Sequence, residues 1–209
     1  MILSHPTRAR ILAAARDLFV EDGADAVTMR AVAAAVGLTP MALYRHFRSR
    51  AALLRAVRDE GHEIFLAYLQ RALAEPSPVA RLTRAGQEYL NFALEHPRDY
   101  TVMFMRPMEL PAERGATPEW RDVATFRFLV DRVRECAAAG VLGADDPESA
   151  ALSIWAHVHG LVSLHLAGKL HLDEGAFRAL FTRSIADLAR VFPWSAAAEP
   201  GKRPRRARA

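Results

Sequence analysis

The segment VTMRAVAAAVGLTPMALYRHF, residues 27–47, constrains this chain more than any other. It reads as two short helices joined by a glycine turn. The first runs from about Thr28 to Val36 and the second from about Thr39 to His46. Ala33 is small where the second helix must come close. Gly37, four residues on, can take the positive φ of a tight turn. Leu43 comes six residues later and faces back into a core with Val32, Val36 and Phe47. Thr39 followed by Pro40 is a cap and then a proline at the first helical position, a pre-set helix start.

That spacing is the one used by a helix-turn-helix, whose second helix enters the major groove by its N-terminal end. The residues left on the outside suit phosphate and base contact. Met41 and Ala42 are short or flexible apolar groups able to meet a thymine methyl. Tyr44 and His46 can donate to phosphates, as can Thr28 and the backbone amides beside it. Arg30 can reach a base edge or a phosphate, and Arg45, Arg48 and Arg50 add charge. The competing reading is an ordinary helical hairpin with a solvated basic face. Motif spacing, caps and charge together favour DNA.

Net charge sharpens the point. The chain carries +4 in all, but residues 1–58 hold nine arginines against four acids. Residues 59–198 are net acidic and the last eleven residues basic again. A basic head on an acidic body is the footprint of a phosphate-binding module joined to something else.

The rest of the chain reads as helical. Ile11, Ala14, Ala15, Leu18 and Phe19 repeat with the period of one helix face, with Thr7 as a start signal and Gly23 as a stop. Ser49 caps a long fourth helix reaching Glu75 and carrying Leu53, Leu54, Val57, Ile64, Phe65, Tyr68, Leu69 and Leu73. Further helical patterns cover about 78–95, 98–105, 118–139, 147–167 and 174–192. Residues 106–117, with Pro107, Pro111 and Gly115, read as a loop. No stretch alternates like a strand. The expectation is an all-α chain of about nine helices. It divides into a three-helix DNA-binding domain (1–52), a helical ligand-binding and dimerisation domain (53–195) and a basic disordered tail (196–209).

Residues 28–54, TMRAVAAAVGLTPMALYRHFRSRAALL, resemble the DNA-binding domain of TetR-family repressors. Residues 11–28 are similar to that family's first helix and its link to the second. The resemblance implies a homodimer on a palindromic operator, released when a small molecule enters the C-terminal domain. It places Thr28, Thr39, Tyr44 and His46 on phosphates, and Arg30, Met41 and Ala42 near bases, with Pro40 and Arg45 beside them. Arg50 stands where the family usually has lysine, and the two contact phosphate differently. In the C-terminal half, Trp155, His159 and Gly160 form a W-x-x-x-H-G similar to a TetR subgroup named for those letters. Trp155 and His159 share a helix face, so this pair is a candidate ligand contact, although a satisfied core histidine fits equally well. Phe65, Tyr68, Tyr89, Phe92, Met103 and Phe126 are further candidates, along with Phe104 and Met105, for a largely apolar ligand.

The last two helices are apolar on more than one face, through Ala150, Ile154, Leu161, Val162, Leu164, Phe177, Leu180, Phe181, Ile185 and Leu188. A second subunit is the simplest cover for the extra face. His157, His159 and His165 do not suggest a metal, since residues two apart on a helix point apart. No cofactor is expected. The uncharged run 150–168 is long enough to raise a membrane span, but its histidines and serines favour a buried soluble helix. One cysteine, Cys136, and no apolar leader fit a reducing, cytoplasmic setting. Two rival functions are a ligand-independent architectural DNA-binding protein and, more remotely, an enzyme with an accessory DNA-binding domain. No nucleophile elbow, paired carboxylates or phosphate loop supports the second.

Overall fold

A computed structural model of the protein describes residues 6–106, 108, 121, 123–143 and 146–191. Among the described residues all regular structure is helical. Nine α-helices follow one another: α1 (Pro6–Asp22), α2 (Met29–Ala35), α3 (Pro40–Tyr44), α4 (Arg50–Gln70), α5 (Pro78–Glu95), α6 (Pro97–Tyr100), α7 (Ala124–Ala138), α8 (Pro147–Leu166) and α9 (Glu174–Val191). A π-helical turn, Thr101–Met105, continues α6.

The helix starts are written in short polar residues and prolines. Ser49 Oγ accepts from Ala52 N at 3.1 Å before α4, and Ser77 Oγ from Ala80 N at 3.2 Å before α5. Asp146 and Asp173 cap α8 and α9 in the same way. Pro40, Pro97 and Pro147 stand in the first turn of their helices, where the missing N–H breaks no bond.

The helices form two compact units, each built from two stretches of chain. The first comprises Met1–Ala67 and Asn91–Glu119, the second Tyr68–Leu90 and Trp120–Ala209. In the first unit Ile11, Leu12, Ala15 and Phe19 of α1 pack with Val32, Ala33, Leu43, Phe47, Leu53, Leu54, Val57 and Val102. A set of arginines fastens the α6 segment to α1. Arg16 reaches Asp99 at 2.7 Å and Glu60 at 2.5 Å. Arg98 pairs with Asp17, and Arg106 donates to the Phe19 carbonyl at 3.2 Å. Burial pushes the Glu60 and Asp99 carboxyls above their ordinary range, and Arg16 opposes that shift in both.

In the second unit Leu82, Phe126, Val130, Val133, Cys136, Leu142, Ala150 and Ala151 form the core, with Ile154 and Trp155 packed against it. Fully buried Glu88 is held by Arg84 at 2.6 Å and Arg71 at 3.2 Å. The histidines of α8 take separate partners: His157 Nε2 lies 2.8 Å from Ser184 Oγ, and His165 stacks on Phe177.

Three expectations need correction. Thr7 lies inside α1, which already begins at Pro6, so it caps nothing. The α-helix of α4 ends at Gln70, roughly 31 Å long at 1.5 Å per residue, and a 3₁₀ turn, Arg71–Ala74, carries the chain on. Leu73 in that turn is exposed instead of buried. The expected tail at 196–209 and all of the 106–117 loop except Arg106 and Met108 lie outside the described residues. No helix among the described residues is long and apolar enough to cross a membrane.

Candidate functional site

The first unit presents α3 as a short, shallowly rooted helix. Its five residues contribute one buried side chain, Leu43. The turn before it closes in the manner of a Schellman motif: Leu38 N donates to Ala33 O at 2.8 Å and Gly37 N to Ala34 O at 3.2 Å. Gly37 supplies the left-handed φ of 71° that this closure needs. Thr28 Oγ1 accepts from Ala31 N at 3.0 Å and Thr39 Oγ1 from Ala42 N at 3.2 Å. Each hydroxyl therefore spends a lone pair on its helix and keeps its proton to donate outward.

Most of the residues read as DNA contacts lie on the surface of this unit. Met41 is 71% exposed and Tyr44 50%. Thr28, Arg30, Thr39, Pro40, Arg45 and His46 are exposed, while Ala42 is half-buried. Arg50 differs. Its Nε donates to Val27 O at 2.7 Å and its Nη2 to Ala24 O. Those bonds hold the link that delivers the chain into α2. Arg10 Nη2 does comparable work on the other side, donating to Val36 O at 2.9 Å at the end of α2. Neither role is visible from spacing, because the partners lie 23 and 26 residues away in sequence.

The eight residues read as ligand contacts are shared between the two units. Phe65 and Phe92 stack at 4.8 Å in the first, and Phe104 stands edge-on to Phe65 at 6.2 Å. Met103 belongs to the same unit, where its Sδ closes over Gly61. A Cβ at Gly61 would come within 2.8 Å of it. In the second unit Tyr68 lies under the Arg71 guanidinium, 3.9 Å from the ring centre. Phe126, Trp155 and His159 form a chain of tilted rings at 5.9 and 5.7 Å. Tyr89 Oη lies 3.1 Å from His159 Nδ1, and Ser163 Oγ 3.4 Å from His159 Nε2. Burial lowers the His159 pKa, which favours the neutral imidazole.

The structure adds two features absent from the sequence reading. His62 stands edge-on to Phe104 at 6.3 Å, and its Nδ1 is buried with no hydrogen-bond partner among the described residues. Burial holds its pKa below the ordinary value, with the Arg58 charge adding to the effect. A lone histidine on an amphipathic helix carries no spacing signal. The second feature is a cleft of about 220 Å³ in the second unit, lined by Arg121, Phe126, Arg127, Val130, Arg134 and Glu148. Phe126 is the member of the expected ligand set that it includes.

Comparison with known proteins decides the family. Residues 82–188 match the family described as tetracyclin repressor-like, C-terminal domain, and residues 11–57 match bacterial regulatory proteins, tetR family. The chain belongs to the TetR family. It is accordingly a helix-turn-helix transcriptional regulator by family, with α2 and α3 as the two helices of the motif. The HTH-type transcriptional regulator UidR of Escherichia coli (strain K12) is 41% identical over 64 residues, 31% of this chain. That match spans 33% of UidR, about a third of its length. An uncharacterised HTH-type regulator of Mycobacterium tuberculosis is 29% identical over 184 residues, covering 88% of this chain and 80% of that protein. A bacterial regulatory protein of the tetR family from Rhodococcus RHA1 has the same fold, with a TM-score of 0.68 and 24% identity. The match covers 92% of this TetR-family chain and 100% of that one.

Proposed function

We propose that this TetR-family regulator is a repressor that holds a palindromic operator as a homodimer and lets go when a small molecule binds its second unit. The observation that carries the DNA part is the way α3 is presented. One buried leucine roots it, Thr39 caps its N-terminal end with exposed Met41 beside it, and Thr28 caps α2. Thr28, Thr39, Tyr44 and His46 contact phosphates. Arg30, Arg45, Met41 and Ala42 approach base edges, with Pro40 fixing the start of the helix. Arg50 reaches phosphate only if it gives up carbonyls it already holds, so in this reading its main part is to set the angle of α2.

The dimer forms through α8 and α9. Leu152 and Leu164 on α8 are exposed large apolar side chains, and covering them is the favourable step in association. Effector binding then draws on the members of the expected ligand set that lie in the second unit, Tyr68, Tyr89, Phe126, Trp155 and His159, while Phe65, Phe92 and Met103 belong to the first unit. In this reading Trp155, His159 and Gly160 place the chain in the W-x-x-x-H-G subgroup, on the motif alone. The protein works in the cytoplasm and performs no catalysis. An effector shifts the DNA-binding equilibrium only by its difference in affinity for the two states.

A gel shift with DNA from upstream of its own gene tests the reading. A specific band at physiological salt that a palindromic competitor removes is expected. Equal competition by unrelated DNA of the same length would refute it and favour non-specific architectural binding.

A further inference from the structure

Helix α2 is seven residues long, roughly 10 Å at 1.5 Å per residue. A helix of two turns does not hold itself in water, so its place comes from what it packs against. Its inward face is three side chains, Met29, Val32 and Ala33. Apolar contact of that kind is non-directional. It sets how deep α2 lies and leaves its swing about that patch loosely held. The swing is limited at the two ends, where side chains from other helices reach the backbone.

At the far end Arg10, on α1, donates from Nη2 to Val36 O at 2.9 Å. Val36 is the C-cap of α2. A guanidinium there stands where a helix leaves carbonyls open, at the negative end of its dipole. At the near end Arg50, in the first turn of α4, donates from Nε to Val27 O at 2.7 Å and from Nη2 to Ala24 O. Val27 immediately precedes Thr28, the N-cap. Ala24 O also takes Val27 N at 3.2 Å, closing the 3₁₀ turn Ala24–Ala26. Asp25 Oδ1 lies 3.9 Å from Arg50 Nη2 on a fully exposed side chain, so water weakens that pairing. One edge of the Arg50 guanidinium thus binds two carbonyls three residues apart, a geometry that a planar fork meets and a single ammonium does not.

We infer that Arg10 and Arg50 are positioning residues that clamp α2 at both ends and so set the pose of the DNA-reading surface. Thr28 and Arg30 ride on α2 itself. α3 begins at Pro40, across the closed Schellman turn, so a swing of α2 carries α3 with it. The functional meaning rests on reading that surface as the DNA contact, and the clamp itself is measurable without DNA.

Amide hydrogen–deuterium exchange on the full-length protein tests the clamp directly. In Arg10→Gln the amides of residues 36–38 should exchange at least about tenfold faster, and in Arg50→Gln those of residues 27–32, with α7 unchanged in both. Wild-type rates in either variant would refute the two-ended clamp. The DNA arm is a gel shift with the fragment upstream of the protein's own gene, at a temperature where circular dichroism shows each variant folded. Arg50→Lys keeps the charge and loses the fork, so it should bind roughly tenfold more weakly than wild type. Wild-type affinity in Arg50→Lys would overturn the positioning role. Arg10→Gln should weaken binding as much with the salt slope unchanged; a slope flattened by about 0.9 per subunit would make Arg10 a phosphate contact instead. A lowered melting temperature with the affinity of the folded variants intact would reduce both arginines to a purely structural part and overturn the inference. Should the wild type give no specific band, the regulator reading fails, and the exchange rates still decide the clamp.

Discussion

Replacing Leu43 by alanine removes the only buried side chain of α3. The residue is fully buried among Val32, Phe47 and the α4 leucines of one cluster. The change deletes three carbons, worth about 2.4 kcal/mol at ~0.8 kcal/mol each. A cavity remains because α1, α2 and α4 hold the walls apart, so the total should reach roughly 3–4 kcal/mol, inside the 2–5 kcal/mol seen for such truncations. Against a domain stability of roughly 5–15 kcal/mol this is a large fraction. The control sits two residues earlier. Met41 is 71% exposed, so Met41→Ala should leave stability within about 0.5 kcal/mol. Urea unfolding followed by far-UV circular dichroism, extrapolated linearly, gives both values. Operator affinity should fall in both variants, in Leu43→Ala because α3 is no longer held and in Met41→Ala because a groove contact is lost. A Leu43→Ala loss under about 1 kcal/mol, or a Met41→Ala loss as large as that of Leu43→Ala, would show that α3 is rooted elsewhere.

Three further outcomes follow from the same geometry. Gly37→Ala should cost about 1–2 kcal/mol through backbone strain alone, since a Cβ there meets nothing within 4 Å; an unchanged urea midpoint would contradict this. Thr39→Ala should lose about 1 kcal/mol with the cap and weaken operator binding without changing its salt dependence, because a neutral hydroxyl displaces no counterion; Thr39→Ser should restore both stability and affinity. His62 and His159 are held below their ordinary pKa of 6.5 chiefly by burial. The unfolded chain therefore binds more protons than the folded one in the window just below pH 6.5, and stability is lost as pH falls through it. The melting temperature of His62→Gln should decline less than that of the wild type over this window. Identical slopes would show that His62 is not the group responsible.

Much of the first unit was legible because its signals are local. A cap bonds three residues ahead, a Schellman turn closes over six, and a proline fixes its own φ. Thr28, Gly37, Thr39 and Pro40 therefore announce α2 and α3 whatever surrounds them. The buried set Val32, Val36, Leu43 and Phe47 follows from helical period alone. Arg50 shows where that legibility stops. Its charge suggested a phosphate, and the structure adds bonds to the Val27 and Ala24 carbonyls, 23 and 26 residues away, that no local signal announces. Leu73 fits the stripe of α4 by period, yet the helix has tightened to a 3₁₀ turn by then and the side chain faces water.

By itself the sequence determined an all-helical chain, a helix-turn-helix at residues 28–47 and the family to which both belong, because each depends on interactions within a turn or two. Tertiary structure decided the division into two units drawn from interleaved stretches. It gave each α8 histidine a different partner, left His62 Nδ1 buried without one among the described residues, and brought Arg121, Arg127 and Arg134 to one cleft with Phe126. Those outcomes depend on which distant surfaces meet, and burial and charge at a site are set by every element that reaches it.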